Sequence, residues 1–141
     1  MSIKKIAAVV AVASAILAPL TANALPPDGT YSGSVDVKKG VSLKCTMTAV
    51  VSGGKVTAVS LSGSGLNAIC NVIGFDKLPY DAADVGSNIE IYDVDVTTFS
   101  FGGCEGTLIA KYEDGKIKFN NATLPPKIAG TGSCTINGEL S

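Results

Sequence analysis

The chain has 141 residues, a net charge of −1, no His and no Trp, and Lys supplies all 11 of its basic residues. Without imidazole there is no His general base, no Ser-His or Cys-His nucleophile pair and no His-ligated zinc or iron, so an enzyme is not expected. An Arg-free, weakly acidic composition also lacks the basic stripe that phosphate contacts need, which argues against nucleic acid and against charge-driven membrane binding.

The N-terminus carries a three-part pattern: Lys4 and Lys5, an apolar run from Ile6 to Leu20, and the small-residue exit Ala22-Asn23-Ala24. It predicts a secretory signal peptide over residues 1–24, cleaved before Leu25, with residues 25–141 as one exported domain. The apolar run is shorter than the roughly 20 residues a membrane span needs, so no transmembrane span is expected after cleavage. The alternative is a short N-terminal anchor helix. The 117 residues that follow the 24-residue leader hold nine Lys against 12 Asp and Glu, a net charge of −3.

The exported part opens with an extended, turning segment, Leu25-Pro26-Pro27-Asp28-Gly29. Period-two alternation of Val, Ile, Thr and Tyr then predicts strands over 30–37, 43–51, 55–62, 88–98, 107–112, 116–121 and 133–140. Ser52-Gly53-Gly54 and Glu113-Asp114-Gly115 read as hairpin turns. Pro79 and residues 81–86 read as a central loop with room for a helical turn. The expected fold is all-β: an antiparallel sandwich or barrel of about seven to nine short strands.

The four cysteines, Cys45, Cys70, Cys104 and Cys134, never fall in a CxxC spacing, and an even number in an exported chain points to disulfides rather than metal. Sequence does not choose among the three pairings. A weak duplication at an offset of 61 places Tyr31 and Val35 on Tyr92 and Val96, and Gly54-Lys55-Val56 on Gly115-Lys116-Ile117. If each unit closes on itself, Cys45 joins Cys70 and Cys104 joins Cys134.

Asp93 and Asp95, two apart in a predicted strand with Glu90 nearby, would share one face and offer carboxylates to calcium. The ordered oxygen series of a calcium loop is missing, so a solvated strand face is expected, and no metal or cofactor. Nothing supplies the sugar-stacking Trp or the second distant carboxylate of a glycosidase. Phe75, Leu78, Pro79 and Tyr80 form the densest apolar spot in the irregular middle. They are a candidate apolar contact for an oily or protein surface, or else a core plug where the chain crosses between two sheets. Phe99-Ser100-Phe101 puts two aromatics on one strand face, and Asn121-Ala122-Thr123 matches a glycosylation acceptor by chance.

Several blocks in order carry a resemblance: Gly33-Ser-Val-Asp-Val-Lys-Lys-Gly40, Leu43-Lys-Cys45-Thr, a Gly-rich strand ending in Cys70, Leu78-Pro79-Tyr80, Gly102-Gly103-Cys104, Phe119-Asn-Asn-Ala-Thr-Leu124-Pro125 and Cys134-Thr-Ile-Asn-Gly138. Together they resemble the bacterial family of the protein activator of alkane oxidation. The family's aromatic after Leu-Pro is usually Trp, and Tyr80 departs from it. The resemblance implies an extracellular protein that aids growth on alkanes by emulsifying them or coating cells, and implies no oxygenase.

The leading expectation is therefore a secreted, non-enzymatic protein whose partner is hydrocarbon or another apolar surface. Two alternatives stand beside it. One is a self-associating subunit of an extracellular fibre or biofilm matrix, because low-charge strand edges pair readily. The other is a periplasmic module that holds a small apolar ligand in a barrel mouth.

Overall fold

The computed structural model describes residues 25–98 and 102–141; the predicted leader and Phe99-Ser100-Phe101 lie outside the described residues. Its strands are β1 (Gly29–Lys39), β2 (Val41–Ser52), β3 (Lys55–Ser62), β4 (Gly74–Asp76), β5 (Tyr80–Val85), β6 (Asn88–Thr97), β7 (Cys104–Glu113), β8 (Lys116–Leu124) and β9 (Cys134–Leu140), with a 3-10 helix (Gly65–Val72) between β3 and β4.

Alternation builds the interior. On β2, Leu43, Cys45, Met47, Ala49 and Val51 are buried at every second position, while Ser42, Lys44 and Thr46 face outward. On β1, Tyr31, Val35 and Lys39 turn inward while Ser32, Ser34, Asp36 and Lys38 are exposed. An apolar inside with a polar outside is the reverse of a membrane barrel, whose lipid-facing band is apolar. Among the described residues no helix is long and apolar enough to cross a membrane.

Antiparallel pairing runs β1–β2–β3–β5–β6–β7–β8–β9, and β9 returns to β1. Eight strands thus close a barrel in chain order, and β4 is added on β6. Of the two expected architectures the barrel is the one formed. Among the described residues all nine strands belong to one sheet, so residues 75–80 do not cross between two sheets; Tyr80 is buried, and Phe75 and Leu78 are half-buried against the core.

The tight hairpin between β7 and β8 follows from its turn residues. Asp114 and Gly115 both have positive φ, 57° and 75°, as the type I′ turn that matches strand twist requires. Gly33 answers a different demand. A Cβ there would meet the carbonyl oxygen of Glu139 at 1.9 Å, so β1 approaches β9 this closely only without a side chain.

The predicted central loop is mostly strand. Residues 80–85 form β5, which pairs with β6 across a Gly86-Ser87 turn. Asp81 and Asp84 blur the apolar alternation there, which hid the strand. The helical turn lies earlier, at Gly65–Val72, where the Gly-rich strand ending in Cys70 was expected.

The β3–β5 seam is short, only Lys55↔Asp81 and Val56↔Tyr80, reinforced by the Lys55–Asp81 ion pair. Along the rest of β3 the barrel wall is completed by the helix and by β4, which continues the edge of β6 that β5 leaves. Asn71 holds the helix to Gly63 by accepting from its N–H at 3.3 Å and donating to its carbonyl at 3.0 Å. Asn67 Oδ1 accepts from the Lys44 backbone N–H at 3.0 Å.

Candidate functional site

The two barrel ends differ. At one end the segment before β1 acts as a stopper: Leu25 and Pro26 sit against Val51, Ile89 and Ile117. That segment is fixed by the Tyr31 hydroxyl, which donates to Pro27 O at 2.6 Å, and by Asp28 Oδ1, which accepts from Gly53 N–H at 2.9 Å.

Among the described residues the opposite end is open. The last residues of β1, β3, β6 and β8 and the first of β2, β7 and β9 converge there around a cavity of about 60 Å3 that opens to solvent. Its wall is overwhelmingly apolar, including Val37, Leu61, Ile73, Phe75, Val96 and Leu124. A closed eight-stranded barrel is at the size where the interior either fills with side chains or keeps room for one small ligand. Here space remains at the open end and, in smaller measure, deeper inside. Met47, Phe75 and Leu108 separate the opening from a second empty region deeper in the barrel.

Exposed apolar side chains gather at the same end. Of the seven large ones exposed among the described residues, five, Val41, Leu66, Ile69, Val72 and Ile128, lie in the turn, helix and loop that rim it. A 3-10 helix has three residues per turn, so Leu66, Ile69 and Val72 line up on one face. Leu66 is 96 % exposed and Val72 63 %, too much to be packing against the barrel.

Both disulfides brace this end. Cys45 on β2 joins Cys70 of the helix, and Cys104 joins Cys134 at the first residues of β7 and β9. The 61-residue offset places β1, β2 and β3 on β6, β7 and β8, and each disulfide ties the middle strand of one such meander to the segment after it.

Beneath the rim is a charged knot. Asp95 is 3 % exposed and pairs with Lys77 at 3.1 Å and with Lys127. The Lys127 ammonium hydrogen-bonded to it, helped by Lys77 and opposed by burial, holds the Asp95 carboxyl below its ordinary value of 3.8. A carboxyl depressed by folding adds stability that is present above its unfolded value and lost as pH falls through the folded one. Asp95→Asn should therefore melt lower at neutral pH, by about 2–3 kcal/mol as for hydrogen bonds to charged groups. The gap to wild type should close on acidification below the ordinary value of 3.8, which urea melts across that range would show.

The carboxylates expected to share a face do not. A bulge between Ile91 and Val94 gives Asp93 a φ of 55° and leaves it exposed, while Asp95 turns inward. Glu90 is occupied by the Tyr92 hydroxyl, which donates to it at 3.1 Å. Among the described residues no group of three or more His, Cys, Asp or Glu is placed to hold a metal. Asn121 and Ala122 belong to a similar irregularity on β8, with Ala122 buried.

The candidate apolar contact is split by the fold. Phe75 is half-buried and lines the opening, Leu78 is half-buried against the core, and Pro79 is exposed after a cis Leu78-Pro79 bond. Tyr80 is 2 % exposed and offers no surface. Sequence reasoning missed the helix stripe and Lys39. The first was legible as apolar residues every third position at 66, 69 and 72. The second continues the inward series Tyr31, Gly33, Val35, Val37.

Among family models, that described as alkane oxidation protein activator PraA/PraB-like matches residues 1–141. No curated protein and no solved structure matches the chain.

Proposed function

The chain belongs to the PraA/PraB-like alkane oxidation protein activator family, and we propose that it supports alkane oxidation from outside the cytoplasm, without catalysis, by meeting hydrocarbon at the open end of its barrel. The observation that carries this reading is the coincidence, at one end, of an apolar opening and five of the seven large apolar side chains exposed among the described residues. Exposed apolar patches on a soluble fold mark contact with another apolar phase or partner. Two disulfides fit an oxidising compartment, consistent with a cleaved leader at residues 1–24 and export. The same end accommodates both the interfacial reading and the ligand-holding one, since a rim that wets an oil surface delivers chains to the opening behind it. The fibre reading rested on unprotected strand edges, and a closed sheet removes most of them.

Leu66→Ser combined with Val72→Ser tests the rim. Both side chains are largely in solvent, so stability should stay within about 0.5 kcal/mol of wild type. Adsorption at a hexadecane–water interface, read as the fall in interfacial tension of a pendant drop, should drop markedly. An unchanged tension curve would remove the rim from the mechanism. Fractionating cells grown with and without hexadecane tests the location, and mature protein confined to the cytoplasm would refute export.

A further inference from the structure

We propose that the open end selects a linear apolar chain that terminates in a carboxylate, a fatty acid, and that Lys39 is its head-group anchor. This rests on the reading above that the opening takes an apolar chain. Among the described residues the wall of the opening includes the inward-facing Lys39 and no Asp or Glu, in a chain where acidic residues outnumber basic ones. Lys39 is 5 % exposed, yet among the described residues its ammonium bonds only to uncharged oxygens, Thr131 Oγ1 at 3.3 Å and the carbonyl of Gly132. An ammonium has three donors, so one remains unassigned among the described residues. Lys44, Lys55, Lys77, Lys116, Lys118 and Lys127 each pair with a carboxylate. Lys39 is the buried cation that pairs with none among the described residues.

A buried cation without a counter-charge is costly and is relieved by an anion brought to it. The anion that fits an apolar slot is one carried on an apolar tail. The tail would run down the opening toward Met47, Phe75 and Leu108, where the flexible thioether of Met47 can move aside to admit it to the deeper empty region. Full oxidation of an alkane's terminal carbon yields a carboxylic acid, so the proposed ligand is a product of the reaction class this family activates. The opening then serves to carry or withdraw product.

Calorimetric titration of the oxidised protein with dodecanoate, dodecanol and dodecyltrimethylammonium tests this, with amide shifts of Thr131 and Gly132 as the local readout. Dodecanoate should bind about tenfold or more tighter than dodecanol, the margin of a charge-assisted hydrogen bond. It should move those two amides, and the cationic chain should bind weakest. Lys39→Met should abolish the preference without weakening dodecanol, and Lys39→Arg should keep it. Equal affinity for dodecanoate and dodecanol, or a preference that survives Lys39→Met, overturns the proposal while leaving the apolar opening in use. Binding of none of the three chains overturns the underlying reading as well. Should Lys39→Met fail to fold, the ranking of the three head groups on the wild-type protein decides.

Discussion

Tyr80→Ser should lower stability by about 3–5 kcal/mol, as other large-to-small aromatic changes in cores do. The ring is 2 % exposed and sits in the short seam where β3 meets β5 through Val56↔Tyr80. Its hydroxyl donates to Asp76 O at 2.6 Å and accepts from the Asp95 backbone N–H at 3.2 Å, tying the start of β5 to the end of β4 and to β6. Serine leaves a cavity and is too short to reach either partner. In a domain of this size the loss lowers the melting point by on the order of 10–20 °C. Tyr80→Phe keeps the ring and should cost only the price of the unmade hydrogen bonds, about 1–3 kcal/mol. Thermal melts of the three proteins check the ordering. A Tyr80→Ser protein that melts with wild type but no longer adsorbs to oil would mean that this residue is a surface contact and that the seam has been misread.

The regular part of the barrel is legible because its information is local. Five buried residues at alternate positions of β2, or Asp-Gly between two alternating runs, specify strand and turn without knowledge of the rest of the chain. Strands whose register is set by a distant partner are harder to read. β5 carries Asp81 and Asp84 among its residues and exists because β6 offers it an edge, and β4 is three residues long. The Asp93 bulge shifts the alternation of β6 midway, so a period-two reading places Asp95 outside when it lies inside beside two lysines. Aromatic density marks residues 75–80 in the sequence, whereas the open end is built from chain ends of seven strands and from an exposed helix that no alternation announces. Lys39 illustrates the point. Its strand position predicts an inward side chain, but only closure of the barrel shows that inward at this level means the mouth.

Loss of both disulfides should have the largest effect, leaving the domain substantially unfolded at physiological temperature. In the chain-entropy account each bond, across separations of 25 and 30 residues, contributes about 3–4 kcal/mol, and the two together about 7. Typical domains have only about 5–15 kcal/mol in total. Closure of the sheet acts in the other direction, since every strand of the barrel has two neighbours, so the expected outcome is graded rather than all-or-none. Removing Cys104–Cys134 alone, as the paired alanine variant, frees the segment between β8 and β9. That segment carries Lys127, the partner of Asp95, and Thr131 and Gly132, the partners of Lys39. Removing Cys45–Cys70 alone frees the helix that completes the wall beside β3. In each case the open end should lose hydrogen-exchange protection first, while the stoppered end around Val51, Ile89 and Ile117 stays protected until the global transition. Uniform loss of protection along all strands would mean that the disulfides hold the whole barrel rather than its mouth. Unchanged stability in either paired alanine variant would mean that barrel closure alone suffices. Loosening confined to the open end should also weaken adsorption at the hexadecane–water interface before the protein melts, because the rim residues Leu66, Ile69 and Val72 ride on the helix that Cys70 secures.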